Sequence, residues 1–240
     1  MGRMEEITRL CSKLRLGSVI PDMLPRLDDS AINAVYSVLN ATMEQRTGAA
    51  FLKRLKKAGL DPRRTFDGYE FGRFAWPARL PMDDFCGLGF VRRAENVILY
   101  GAPGTGKTHL ANAAGIEACR QRLGVMYENA AAFVSRLSDA YRTRKHDDLM
   151  RRLNGLDLLI LDEFGYIPMD PIGAQLLFRV IGEFYERKSL IITTNLGFSE
   201  WGQIFTDPKL TESIIDRMVH HSHMIQFIGE SYRVQHSLMI

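Results

Sequence analysis

The sequence predicts an α/β fold of three layers, a parallel central sheet with helices on both faces, preceded by a small helical N-terminal domain. Three observations carry that reading. From residue 97 onward, short apolar runs without strict alternation recur with helix-length segments between them, the pattern of strands buried on both faces and joined by crossover helices. The first of these runs, Val97-Ile98-Leu99-Tyr100, opens into Gly101-Ala102-Pro103-Gly104-Thr105-Gly106-Lys107-Thr108 and then a helical pattern through Arg122, a complete phosphate-binding loop (P-loop) in its strand–loop–helix setting. The N-terminal residues, by contrast, show only the three-and-four spacing of amphipathic helices.

In chain order, Ile7, Leu10, Cys11 and Leu14 fall at helical spacing, and Ile32, Val35, Leu39 and Met43 do so again, with Pro21 and Pro25 between the two segments. A third segment places Phe51, Leu52, Leu55 and Ala58 among Lys53, Arg54, Lys56 and Lys57 and stops near Gly59 and Pro62. Residues 1–64 are therefore expected to form the helical domain. Residues 65–96 are irregular and rich in Gly, Pro and aromatics, and read as a linker. Phe66, Tyr69, Phe71 and Phe74 would pack within it, or one of them would lie against a bound base. Residues 97–240 form the expected P-loop domain, with strands at 97–100, 125–128, 157–161, 189–194 and 224–228.

Composition narrows the function classes without choosing one. A 240-residue chain with 46% apolar residues can bury a real core. A net charge of only +3 argues for neither nucleic acid nor a membrane surface, so any such partner must be sought in local charge. Cys11, Cys86 and Cys119 are far apart and show no CxxC spacing, which suggests neither a disulfide framework nor a thiolate zinc site. No apolar run approaches the roughly 20 residues of a membrane span, and the expected location is cytoplasmic.

The chemistry resides in two places. In the loop, glycines let the backbone curl until its N–H groups and the helix N-terminus face phosphates. Lys107 would reach the β- and γ-phosphates, Thr108 would ligate Mg²⁺, and His109 follows on the helix. Further on, Leu158-Leu159-Ile160-Leu161 runs into Asp162-Glu163. Side chains alternate along a strand, so the two acids can take different tasks, Asp162 holding hydrated Mg²⁺ and Glu163 polarising the attacking water. Leu190-Ile191-Ile192-Thr193-Thr194 ends in Asn195, which is either a turn residue or, if its strand lies beside that of Asp162, a group that orients the water or senses the γ-phosphate. His220, His221 and His223 invite a metal reading, but no carboxylate or cysteine accompanies them in sequence.

The resemblance of the chain to a known family is carried by Leu10-Cys11-Ser12-Lys13-Leu14-Arg15-Leu16, the P-loop, Leu158 through Gly165 as LLILDEFG, Thr193-Thr194-Asn195, Ile215-Asp216-Arg217-Met218 and Gly229-Glu230-Ser231-Tyr232-Arg233. With these, nearly the whole chain resembles the IstB-type transposition ATPases of the AAA+ initiator and helicase-loader clade, which also contains DnaC. The resemblance implies ATP hydrolysis with Mg²⁺, a homo-oligomer with ATP sites at subunit interfaces, and double-stranded DNA and a cognate transposase as partners. The alternative within the clade is a DnaC-like replicative helicase loader. In such proteins the arginine of the DRM segment reaches the ATP of a neighbouring subunit, which makes Arg217 a candidate finger in trans; by sequence alone it is equally a cation on a helix surface. Arg233 is a second candidate, sensor-like or structural.

Two basic stretches could meet DNA. One holds Arg136, Arg142, Arg144, Lys145, Arg151 and Arg152 against Asp139, Asp147 and Asp148, where the clade carries its extra helix for nucleic acid. The other runs over residues 53–64. Either is also readable as a solvated helix face, and contacts would fall mainly on phosphates, with little sequence selectivity.

Overall fold

The sheet has five strands, all parallel, and its order is not that of the chain. The computed structural model describes residues 2–74, 76–167, 169–205, 207–228 and 231–232. Within them the elements run α1 (Arg3–Leu14), α2 (Val19–Met23), α3 (Asp29–Ala58), α4 (Met82–Cys86), α5 (Gly89–Arg92), β1 (Asn96–Gly101), α6 (Lys107–Arg120), β2 (Val125–Asn129), α7 (Ala130–Arg142), α8 (His146–Asn154), β3 (Leu158–Phe164), α9 (Pro171–Phe184), β4 (Ser189–Thr194), α10 (Pro208–His220) and β5 (Ser222–Phe227). The strands lie in the order β2-β3-β4-β1-β5. Each expected apolar run is a strand, and alternation divides their side chains between two helical layers. Ile98, Leu159, Leu161, Leu190 and Ile192 join the core formed with α7, α8, α9 and α10. On the other face Ile160 meets Gly115 of α6 so closely that a Cβ there would lie 2.9 Å from it.

The chain divides into two compact units, Met1–Arg54 and Leu55–Ile240. In the first, Ile7, Cys11, Leu14, Leu24, Ile32 and Leu39 form a small buried cluster; all but Leu24 belong to the faces anticipated from their spacing. The two later helical segments are one continuous helix, α3. Gly48, which has open space around it, lowers helix propensity by about 1 kcal/mol relative to Ala but does not stop a helix as a proline would.

The boundary expected after Arg64 falls instead within α3. Leu55, Ala58 and Leu60 are buried, and the buried amide of Asn112 on α6 binds the strip that follows. Its Oδ1 accepts from Asp61 N (2.9 Å), and its Nδ2 donates to Asp61 O (2.8 Å) and Arg64 O (3.1 Å). Nor are residues 65–96 a linker. Leu80, Phe85, Leu88 and Phe90 have no exposed surface, Phe85 stacks on Phe90 with centroids 5.4 Å apart, and Phe74 bridges to Phe227 of β5. The helices here, α4 and α5, have five and four residues, too few to display a period.

Candidate nucleotide-binding and catalytic site

β1 leads into the P-loop and α6 leads out of it, so the loop lies at the C-terminal edge of the sheet, where open α/β sheets bind ligands. Gly101 has φ +147°, and a Cβ there would lie 2.5 Å from the Phe227 carbonyl oxygen. Gly106 has φ +104°, with the Tyr69 hydroxyl 3.0 Å from where its Cβ would stand. Neither position tolerates a side chain, which leaves the loop's N–H groups accessible. Lys107 is buried and its ammonium donates to the carbonyls of Gly101 (2.6 Å) and Ala102 (2.7 Å); Thr105 Oγ donates to Ala102 O (2.8 Å). From outside the loop, Tyr69 OH donates to Gly106 O (3.3 Å) and Tyr232 N to Gly104 O (3.0 Å). The ring of His109 meets Thr65 O at 2.8 Å and packs on Tyr69, so it fastens the preceding segment to α6 rather than facing the loop. Pro103 lies exposed in the loop.

Opposite the loop, Asp162 is only 6% exposed and receives three hydroxyls from three elements. Thr108 Oγ on α6 donates to Oδ1 (3.0 Å), Thr193 Oγ on β4 also donates to Oδ1, and Tyr127 OH on β2 donates to Oδ2 (2.5 Å). Burial, then this bond to Asp162, raises the Tyr127 phenol far above its ordinary range, so it remains a donor. Glu163 takes the left-handed region, φ +59°, where the β3–β4 register shifts, an uncommon conformation for a side chain other than Gly. Its N–H leaves the ladder to donate to Thr193 Oγ (3.0 Å), and its exposed carboxylate accepts from Asn129 Nδ2 (2.8 Å). The same Asn129 caps α7, its Oδ1 accepting from Ala131 N (3.0 Å) and Ala132 N (3.3 Å). β4 lies between β3 and β1, so Asn195, one residue past it and half-buried, stands at the edge between the two acids and the loop.

This donor set fits a nucleoside triphosphate with Mg²⁺. An ammonium held on two carbonyls can exchange them for phosphate oxygens, and a threonine hydroxyl beside a buried carboxylate offers the hard oxygens that Mg²⁺ takes.

Arg217 sits at the other end of the sheet. The turn after α10 is tied to the start of β1, Asn96 N donating to His221 O (2.8 Å), whereas the loop follows the end of that strand. Along six residues at about 3.3 Å each, the two ends of β1 are roughly 17 Å apart, and Arg217 lies about one helical turn before the His221 turn. The guanidinium rests over the Phe178 ring (4.4 Å) and in the space left by Gly182, where a Cβ would lie 2.7 Å from it.

The basic residues fall into two groups. Arg136 is committed within the fold: Nη2 donates to Glu128 (2.5 Å) and to Met126 Sδ (3.1 Å), with the guanidinium near the Phe133 ring. Arg142, Arg144, Lys145, Arg151 and Arg152 are exposed at the end of α7 and along α8. Arg142 approaches Asp139 at 4.0 Å and Arg151 pairs with Asp148, exposed pairs of a kind that contribute little. Arg233, with Gly229 and Glu230 of its motif, lies outside the described residues.

Residues 27–239 match the family described as "IstB-like ATP binding protein". The chain belongs to this family. It is 34% identical over 238 residues to the ATP-binding protein of insertion sequence IS21 from Pseudomonas aeruginosa, covering 97% of this chain and 90% of that one. It is 31% identical over 220 residues to that of IS232 from Bacillus thuringiensis subsp. berliner, covering 92% and 88%. Among solved structures, AMPPCP-bound DnaA from Aquifex aeolicus superposes with a TM-score of 0.57 at 18% identity, over 71% of this chain and 51% of DnaA, so this chain spans about half of DnaA's length. The DnaC helicase loader superposes with a TM-score of 0.56 at 18% identity, over 70% of this chain and all of that one. At such identities these likenesses concern the fold, and this IstB-like protein is a P-loop ATPase of the AAA+ fold. Among the described residues no helix is long and apolar enough to cross a membrane.

Sequence reading missed Tyr127, Asn129 and the working position of Thr193. Thr193 stood inside a recognised motif and Asn129 closes an apolar run as Asn195 does, so a signal existed for both; nothing local distinguishes Tyr127.

Proposed function

We propose that this protein is an ATP-dependent regulator of DNA transposition, which assembles as a homo-oligomer on double-stranded DNA and there recruits or stimulates a transposase. The relatives named for insertion sequences support the transposition context. The observation that carries the assembly is the separation of the two halves of the catalytic set. Lys107, Thr108, Asp162 and Glu163 gather at one sheet edge, and Arg217 lies on α10 about one helical turn before the turn tied to the opposite edge, a place that suits the nucleotide of a neighbouring subunit better than its own.

In this reading Lys107 leaves the Gly101 and Ala102 carbonyls for phosphate oxygens. Thr108 and Asp162 hold Mg²⁺, with Tyr127 and Thr193 fixing the orientation of Asp162. Glu163 takes a proton from, or polarises, the attacking water, and Asn129 aims it. Asn195 orients that water or senses the γ-phosphate, and Arg217 offsets the charge that develops on the phosphates of the adjacent subunit. Bound Mg²⁺ would supply neutralisation of the β- and γ-phosphate oxygens. ATP would thereby order the interface and hydrolysis would release it, in the cytoplasm where DNA is at hand.

Arg142, Arg144, Lys145, Arg151 and Arg152 are the DNA-facing group, without Arg136, whose guanidinium is already occupied. A single subunit offers few phosphate contacts, and aligning subunits along one duplex multiplies them through effective concentration. The test is a salt titration of ATP-dependent duplex binding. Each lost phosphate contact lowers the slope of log K against log salt by about 0.9, so Arg142→Ala/Arg144→Ala should flatten it by about 1.8 per subunit while nucleotide binding stays intact. An unchanged slope would move the DNA surface elsewhere, first to residues 53–64. With the whole chain as bait, retention of a replicative helicase in place of the transposase would make the protein a helicase loader.

A further inference from the structure

Glu186 and the histidine pair come together at the sheet edge away from the nucleotide site. Residues 185–188 turn from α9 into β4, with Arg187 N and Lys188 N both donating to Phe184 O (3.0 and 2.9 Å). His220 and His221 turn from α10 into β5, and the His221 carbonyl is held by Asn96 N (2.8 Å). One donor atom from each of Glu186, His220 and His221 lies within 4.8 Å of the other two. The carboxylate missing from the sequence neighbourhood of these histidines is thus supplied by a turn 34 residues earlier. His223 goes elsewhere, to Glu95 at 3.0 Å.

We propose that Glu186, His220 and His221 bind a divalent transition-metal ion of the Zn²⁺ class. Two donors on a tetrahedral ion, each about 2.0–2.1 Å from it, stand roughly 3.3 Å apart, and His221 Nε2 is already 3.0 Å from Glu186 Oε1. The Tyr185 hydroxyl meets His220 Nδ1 at 2.8 Å, which leaves Nε2 of that ring for an ion, the arrangement by which a hydrogen bond to one ring nitrogen orients the other for ligation. Glu186 and His220 are exposed and His221 half-buried, so closing the two edges to His220, each within 4.8 Å, needs only side-chain rotation. Two imidazoles and one carboxylate suit Zn²⁺, Ni²⁺, Co²⁺ or Cu²⁺ rather than Mg²⁺ or Ca²⁺. Three protein ligands leave a position for water or for a group from another molecule.

The ion would clamp the α9–β4 turn to the end of α10. Arg217 is three residues before His220 on that helix and shares a polar cavity with Arg179, Glu183 and Glu186. An effect of the ion on Arg217 rests on the trans role proposed above; the binding itself does not.

The experiment uses the whole, tag-free, metal-stripped chain with saturating Mg²⁺ and ADP, so that Thr108 and Asp162 are engaged. Zn²⁺ is titrated by calorimetry, and Co²⁺ by its visible absorption. One equivalent per chain is expected, with tetrahedral Co²⁺ bands and no thiolate charge-transfer band. Affinity should fall on the order of tenfold or more in His220→Ala, His221→Ala and Glu186→Gln and remain in His223→Ala. Zn²⁺ should raise the melting temperature of the wild type and leave that of Glu186→Gln unmoved. Should His221→Ala fail to fold, Glu186→Gln decides, since its side chain is exposed. Absence of stoichiometric binding, unchanged affinity in Glu186→Gln, or a thiolate band would each overturn the site. None of these outcomes depends on DNA or oligomer formation.

Discussion

The Glu163 carboxylate is held by a contact that Asp162 does not share, the amide of Asn129, and the two acids should respond differently to substitution. Asp162 is buried under three hydroxyls, whereas Glu163 is exposed and held by one amide. Glu163→Gln keeps the size of the side chain and removes its basicity. ATP binding and Mg²⁺ dependence should persist, and turnover should fall by roughly 10² or more, the scale of a general base. Single-turnover kinetics beside an equilibrium nucleotide-binding assay would read both, and normal turnover would remove the assignment. Tyr127→Phe removes one of three hydroxyls from Asp162 and leaves the carboxylate buried. Its effect should appear first as a higher Mg²⁺ requirement, measured by titrating Mg²⁺ at fixed ATP, with near-wild-type turnover at saturation.

Asn129 joins an element's stability to the site, because the β2–α7 junction uses its two amide atoms for different purposes. Oδ1 caps α7 and Nδ2 holds Glu163. Asn129→Asp should keep the cap, since aspartate caps as well as asparagine, yet it sets a carboxylate against Glu163. Thermal stability should stay near wild type while turnover falls several-fold; a matching loss of both would reduce Asn129 to a structural cap. Asp170 supplies the comparison. It caps α9 through Ile172 N (3.1 Å) and Gly173 N (3.0 Å) and accepts from Ser138 Oγ (3.4 Å). Asp170→Ala should cost about 1 kcal/mol in chemical denaturation without changing turnover per folded molecule.

At the scale of the whole molecule, the parallel sheet has the P-loop at one edge and the turn after α10 at the other. The P-loop follows the end of β1, whereas α10, which carries Arg217, runs into the turn tied to the start of that strand. A finger acting in trans predicts complementation. Lys107→Ala and Arg217→Ala should each lose activity, the latter on the order of 10³-fold, and mixing the two should restore part of it. Restoration occurs only where an intact loop meets an intact arginine. Mixtures that stay inactive while both variants assemble would place the role of Arg217 within its own subunit or remove it.

The sequence by itself determined the fold class, the P-loop and the Asp162-Glu163 pair. Phosphate binding draws on consecutive backbone N–H groups, so its residues must be adjacent in the chain, and a strand buried on both faces writes itself as an unbroken apolar run. Only the tertiary structure decided who holds the acids. Tyr127, Asn129 and Thr193 reach Asp162 and Glu163 because β2, β3 and β4 are neighbours, and apolar runs do not encode strand order. It likewise decided that residues 65–96 are folded, since their two helices are too short for periodicity and their burial rests on aromatics met across the fold. The same holds for the Glu186–His220–His221 cluster: the two histidines are legible as a pair, but Glu186 joins them only because two crossover helices return to one edge of the sheet.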